Sequence, residues 1–70
     1  MIDETQLRAE LRRYIRIEYE TNAEFAAATG ISAQYLSNML SGRRAIPQFI
    51  YTLILGYERV EAPVKFKRVK

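Results

Sequence analysis

The chain has 70 residues and a formal net charge of +3 at neutral pH, with no cysteine and no histidine. That length predicts one domain with a modest core. The two missing residue types exclude disulfides, thiol chemistry and imidazole-assisted nucleophiles, and leave a zinc site without its usual ligands. The mild positive charge permits an anionic partner without requiring one. The start, Met1-Ile2-Asp3-Glu4, lacks the basic and then apolar order of a secretory leader, and no stretch is apolar for long enough to cross a bilayer. A cytoplasmic protein without membrane contact is expected. Half of the eight acidic residues lie along the first predicted helix at solvated spacings, so a paired-carboxylate hydrolase is a weak reading. No catalytic residue, metal, cofactor or small-molecule ligand is expected.

A first helix is predicted over residues 3–19. Asp3 and Gln6 have the spacing of a capping box, which satisfies free N–H groups at the helix start. Leu7, Leu11, Tyr14 and Ile15 recur on one helical face. Arg8, Arg12 and Arg16 form a second row. It reads either as a solvated face, with Glu4–Arg8 and Arg16–Glu20 pairs contributing about 0.2–0.5 kcal/mol each, or as a set of phosphate contacts.

Thr21-Asn22-Ala23-Glu24 is a second capping box. It opens a short helix that ends before Gly30, where the chain must turn at positive φ. Ser32 can cap a third helix over residues 33–41, with Gly42 as the left-handed residue that stops it. Pro47 suits the first position of a fourth helix, where its missing N–H is not needed. Ile46, Phe49, Ile50, Leu53 and Ile54 would give that helix an apolar stripe, ending near Gly56. In the tail the period changes. Val60, Ala62, Val64 and Phe66 alternate with Glu61, Pro63, Lys65 and Lys67, which argues for a strand, and Pro63 makes it an edge strand or a bent one.

The third helix carries the chemistry. On a helical wheel Leu36, Met39 and Leu40 share one side; Ala33, Gln34, Ser37, Asn38 and Ser41 share the other, with Tyr35 at the border. No charged residue occurs between Phe25 and Gly42, and Arg43-Arg44 follow at once. An ordinary surface helix would carry lysines and glutamates on its outer face. A small, neutral, amide-rich face suits base edges in a major groove, and the arginines suit phosphates. A helix–helix interface favours the same residue types, so the face alone leaves both readings open.

The stretch Thr21 to Pro47, TNAEFAAATGISAQYLSNMLSGRRAIP, resembles the phage repressor and Cro-type (lambda-repressor-like) helix-turn-helix family. Ala26, Gly30 and Leu36 stand where that family has its small residue, turn glycine and buried aliphatic. Ile31 and Met39 match further buried positions, and Phe25 replaces the usual leucine. Thr29 departs from the family's aliphatic, which implies looser packing at that corner. The resemblance covers roughly residues 5–57. It implies that Ala33, Gln34 and Asn38 read bases, and that Asn22 and Ser32 meet phosphate. Tyr35 and Ser37 would make mixed contacts, and Arg43 and Arg44 would pass along the sugar–phosphate chain.

The expected fold class is therefore all-α: a compact four-helix lambda-repressor-like domain over residues 1–58, with residues 59–70 as a C-terminal β-strand or extended arm. A lone strand leaves its backbone groups unpaired. The tail is therefore expected to pair with a second copy, making Val60, Ala62, Val64 and Phe66 a dimerisation element; a basic arm ending in Lys67, Arg68 and Lys70 is the competing reading. The expected function is a transcription regulator of phage or prophage type, a Cro-like repressor occupying a double-stranded DNA operator as a homodimer. The alternative is a protein-interaction module such as an antitoxin or anti-repressor.

Overall fold

The structure is a computed structural model that describes residues 1–60 and 64–69. Four helices come first: α1 (Glu4–Glu18), α2 (Asn22–Thr29), α3 (Ala33–Ser41) and the short α4 (Ile50–Ile54). Two strands follow, β1 (Tyr57–Val60) and β2 (Lys65–Arg68), paired antiparallel with Tyr57 opposite Arg68 and Val60 opposite Lys65.

Side-chain caps set the helix starts. The Asp3 carboxylate accepts from the Gln6 N–H at 2.9 Å, and the Gln6 side chain accepts from the Asp3 N–H at 3.0 Å. At α2 the Thr21 hydroxyl accepts from the Glu24 N–H at 3.2 Å. Among the described residues the return bond from the Glu24 side chain is not made, so this capping box is half formed. The Thr29 hydroxyl turns back to the Phe25 carbonyl at 2.8 Å, which satisfies the polar group that replaces the expected aliphatic.

Glu20 ends α1 in a left-handed conformation, φ +70°. Its N–H and that of Tyr19 both donate to the Ile15 carbonyl. The chain has left the helix by then, so the expected Arg16–Glu20 pair does not form. The Glu4–Arg8 pair does, at 3.4 Å.

The core joins all these elements. Leu7, Leu11, Ile15, Phe25, Leu36, Met39 and Ile50 are fully buried, and Ala26, Ile46, Tyr57 and Phe66 complete the cluster. Tyr14 and Tyr19 pack edge-on against Phe25 with ring centroids 6.3 and 5.4 Å away. Burial, then the neighbouring Tyr19 and Glu18, raises the Tyr14 hydroxyl above its usual pKa.

Two expectations need correction. The first concerns α4. Helical backbone begins at residue 48, directly after Pro47. It then widens, so that the Leu55 N–H donates to the Ile50 carbonyl five residues back at 3.0 Å. This π-type winding puts more residues into each turn than the roughly 3.6 of an α-helix. The apolar stripe consequently drifts off the core. Ile46 and Ile50 are buried, but Leu53 is 79% exposed and Phe49 39% exposed.

The second correction concerns fold class. The domain is mixed rather than all-α, because a two-stranded antiparallel sheet follows the helices. The tail is not one lone strand. Its partner comes from the same chain, and the boundary expected after residue 58 falls inside β1. Antiparallel pairing satisfies the ladder groups within one molecule, which removes the reason for seeking them in a second copy. Nor do Val60 and Phe66 share a face, since Phe66 stands opposite Arg59 and Val60 opposite Lys65. Phe66 is buried, Val60 is half-buried and Val64 is exposed, while Ala62 lies outside the described residues.

The sheet is built into the body of the molecule. Phe66 packs edge-on against Tyr51 at 5.1 Å. Its backbone exchanges hydrogen bonds with Ile2 at 2.8 and 2.7 Å. Arg68 donates to the Tyr57 hydroxyl at 2.9 Å, lies over that ring at 4.7 Å, and pairs with Glu10 of α1 at 3.5 Å.

Candidate nucleic-acid interface

The region of interest is α2, a three-residue turn and α3. The Ala26 carbonyl accepts from the Gly30 N–H at 2.9 Å and the Ile31 N–H at 3.2 Å, which closes α2 around the small buried Ala26. Gly30 has φ +78°, a conformation that carries a steric cost for residues with a Cβ. Ser32 then caps α3, its hydroxyl oxygen accepting from the Tyr35 N–H at 3.0 Å.

α3 divides into the two predicted faces. Leu36 and Met39 are buried and Leu40 is half-buried. Ala33, Gln34, Ser37 and Ser41 are exposed and Asn38 is half-buried. The Gln34 Nε2 donates to the Asn38 Oδ1 at 3.2 Å, one helical turn on. Asn22, at the start of α2, is exposed, as is Ser32.

The end of α3 is tied to the arginine loop. The Asn38 carbonyl accepts from the N–H groups of Arg43 at 2.9 Å and Arg44 at 3.1 Å, and from the Ser41 hydroxyl at 3.1 Å. These bonds fold the loop back over the helix end, with both arginine side chains exposed. The Arg44 guanidinium lies over the Tyr35 ring, 5.2 Å from its centroid. That contact is a cation–π arrangement, and it gives Tyr35 a role the sequence pattern did not suggest: it holds Arg44 beside the exposed face of α3.

Two α1 arginines are also drawn into this region. The Arg12 guanidinium donates to the Leu40 carbonyl in the last turn of α3. A cation there meets the negative end of the helix dipole. The Arg8 guanidinium lies where a side chain at residue 42 would begin: a Cβ on Gly42 would sit 3.5 to 3.7 Å from its atoms. Arg8 keeps the Glu4 pair expected of a solvated row and Arg12 remains exposed, while both guanidinium groups also lie near the C-terminal end of α3. Sequence spacing could not reveal this. The groups they contact are a backbone carbonyl and a glycine, and neither leaves a side-chain pattern.

The structure thus brings Ala33, Gln34, Ser37, Asn38, Tyr35, Arg43 and Arg44 into one region on and beside α3, with Ser32 at the helix start. Val60, Val64 and Phe66 belong to the hairpin. Among the described residues no group of acidic side chains is arranged to hold a metal ion, and no helix is long and apolar enough to cross a membrane. No protein-family model, curated protein or solved structure matches the chain.

Proposed function

We propose that this chain is a sequence-specific double-stranded DNA-binding regulator that lays α3 in the major groove. The observation that carries the reading is the exposed, uncharged amide and hydroxyl face of α3, with the Arg43–Arg44 loop fastened to its end. In this reading Ala33, Gln34 and Asn38 face base edges. Arg43 and Arg44 meet phosphates, and Tyr35 supports Arg44. The Ser32 oxygen is used as a cap, so its O–H remains free to donate to a phosphate beside the N-terminus of α3. Asn22, exposed at the start of α2, would do the same, and Ser37, exposed on α3, would contact base or backbone.

The wider reading is a cytoplasmic repressor of the phage repressor and Cro-type class, a binding protein rather than an enzyme. It would act as a homodimer that occupies an operator, with half-sites about 34 Å apart.

Selection of bound duplexes from a random pool, followed by gel shifts at several salt concentrations, tests the proposal. A defined sequence should emerge. Arg43→Ala or Arg44→Ala should weaken binding to all sequences alike, and the salt slope should fall by about 0.9 for each phosphate left unneutralised. Failure to enrich any sequence, with an unchanged slope in both variants, sinks the reading.

One observation favours a second reading, a protein-interaction module such as an antitoxin or anti-repressor. Phe49, just before α4, and Leu53 within it leave apolar surface exposed. In that case the α3 face would be buried against protein, and Gln34 and Asn38 substitutions would weaken a protein complex rather than a DNA complex.

A further inference from the structure

We infer that Glu20 is a counter-charge built into the corner between α1 and α2: its carboxylate, beside Arg12 and Arg16, holds down the affinity for a phosphate backbone whatever the base sequence. The inference rests on the DNA-binding reading above and adds to it a residue that opposes binding.

Four described residues have left-handed backbone. Three are glycines, Gly30, Gly42 and Gly56, and the fourth is Glu20 at φ +70°. A residue with a Cβ carries a steric cost there that glycine does not. The turn is therefore no reason for a glutamate. Bonding is no reason either. The Glu20 side chain is exposed, and among the described residues it makes no hydrogen bond or ion pair. The bond from its N–H to the Ile15 carbonyl, at 2.9 Å, is one that a glycine would make as well.

What the side chain does bring is a negative charge among positive ones. Glu20 lines one hollow with Arg12, Arg16 and Asn22. Arg12 spends a donor on the Leu40 carbonyl yet stays exposed, and Arg16 is exposed too. In the DNA-binding reading Asn22 meets a phosphate. Two residues of chain span at most about 7 Å, inside the screening length of about 8 Å at physiological salt. A phosphate at Asn22 is therefore repelled by Glu20, and the attraction of Arg12 and Arg16 for it is partly cancelled. The repulsion acts on phosphate and not on bases, so it lowers affinity for selected and random duplexes alike. Non-specific binding is almost wholly electrostatic, so a carboxylate here keeps the protein from being held on unselected sequence.

Three variants separate the charge from the backbone. Glu20→Gln removes the charge and keeps the strained turn, Glu20→Gly removes both, and Glu20→Asp keeps the charge. In gel shifts on a selected and a random duplex, Glu20→Gln and Glu20→Gly should each bind both duplexes about 2- to 5-fold more tightly than the wild type. Their salt slope should be steeper by up to about 0.9, with the preferred sequence unchanged. Glu20→Asp should bind as the wild type does. Thermal melts should rank the proteins differently: Glu20→Gly about 2–8 °C above the wild type, and Glu20→Gln close to it.

Affinity that follows charge while melting follows the turn supports the inference. Sequence-specific binding with the same strength and salt slope in the wild type, Glu20→Gln and Glu20→Gly overturns it and leaves the DNA-binding reading standing. So does an affinity that tracks the melting temperature instead of the charge. Absence of duplex binding by all four proteins overturns both.

Discussion

α3 and α4 lie one loop apart and are held in opposite ways. α3 carries its own limits: a serine that caps its first turn, a left-handed glycine after its last, and Arg12 on a terminal carbonyl. α4 has no side-chain cap and winds wide, and Ile50 is its one buried residue. The contrast teaches that a helix meant to present a face needs its rotation set locally, whereas a helix that plugs a core needs only an anchor. In α3 four exposed residues and Asn38 are kept in register by the caps at both ends. In α4 the anchor holds while Leu53 is turned to solvent.

The severest way to break the comparison is to remove an anchor that serves the C-terminal part. Phe66→Ala should destabilise the protein by about 3–5 kcal/mol, as much as Phe25→Ala in α2, since the two side chains are 4% and 0% exposed. Urea melts of both variants check this. A Phe66→Ala midpoint near that of the wild type would mean that the hairpin is an appended arm after all.

A smaller effect isolates the stop of α3. Gly42→Ala forces a Cβ onto φ +89°, which should cost about 1–2 kcal/mol. Gly30→Ala, at φ +78° in open space, provides the reference. Because the Arg8 atoms lie at ordinary contact distance from residue 42, the two costs should agree. A much larger loss in Gly42→Ala would show that Arg8 cannot adjust.

Arg12→Met keeps the length of the side chain and removes its charge and donors. Without the bond to the Leu40 carbonyl the protein should be about 0.5–1 kcal/mol less stable in thermal or urea denaturation. If the proposed DNA-binding function holds and this bond sets the pose of α3, affinity for a selected duplex should fall further than overall stability explains. An equal effect on specific and random DNA would make the brace purely structural. The mildest variant probes α4. Leu53→Ser removes apolar surface that touches little, so stability should move by no more than about 0.5 kcal/mol at any protein concentration. A concentration-dependent loss would place Leu53 in an interface.

The unequal legibility of the chain follows from the same physics. The limits of α1, α2 and α3 are visible in Asp3, Thr21, Gly30, Ser32 and Gly42 because caps are local chemistry. The division of α3 into Leu36 and Met39 on one side and Gln34 and Ser37 on the other is visible because helix period is local too. The winding of α4 is not, since Ile50 and Leu53 suit a regular stripe on paper. Nor is β1: Tyr57, Glu58, Arg59 and Val60 show little alternation, and only the pairing with residues 65–68 makes them a strand. At the candidate interface the residue types of the exposed face could be read in advance. The bond of Arg12 to the Leu40 carbonyl, the closeness of Arg8 to Gly42 and the stacking of Arg44 on Tyr35 depend on three-dimensional approach.

The two hydrogen bonds between Ile2 and Phe66 also bear on the order in which the molecule assembles. They close a loop through almost the whole described chain. Closing it in an open coil costs about 1.5–2 kcal/mol more than closing a span as short as the hairpin. The helices and the hairpin can form from neighbours in sequence, but this clasp must wait until they have docked. Its amide protons should therefore exchange with solvent by opening of the clasp alone, ahead of those in the buried helices, so residues near the two extremes of the chain would report its easiest opening.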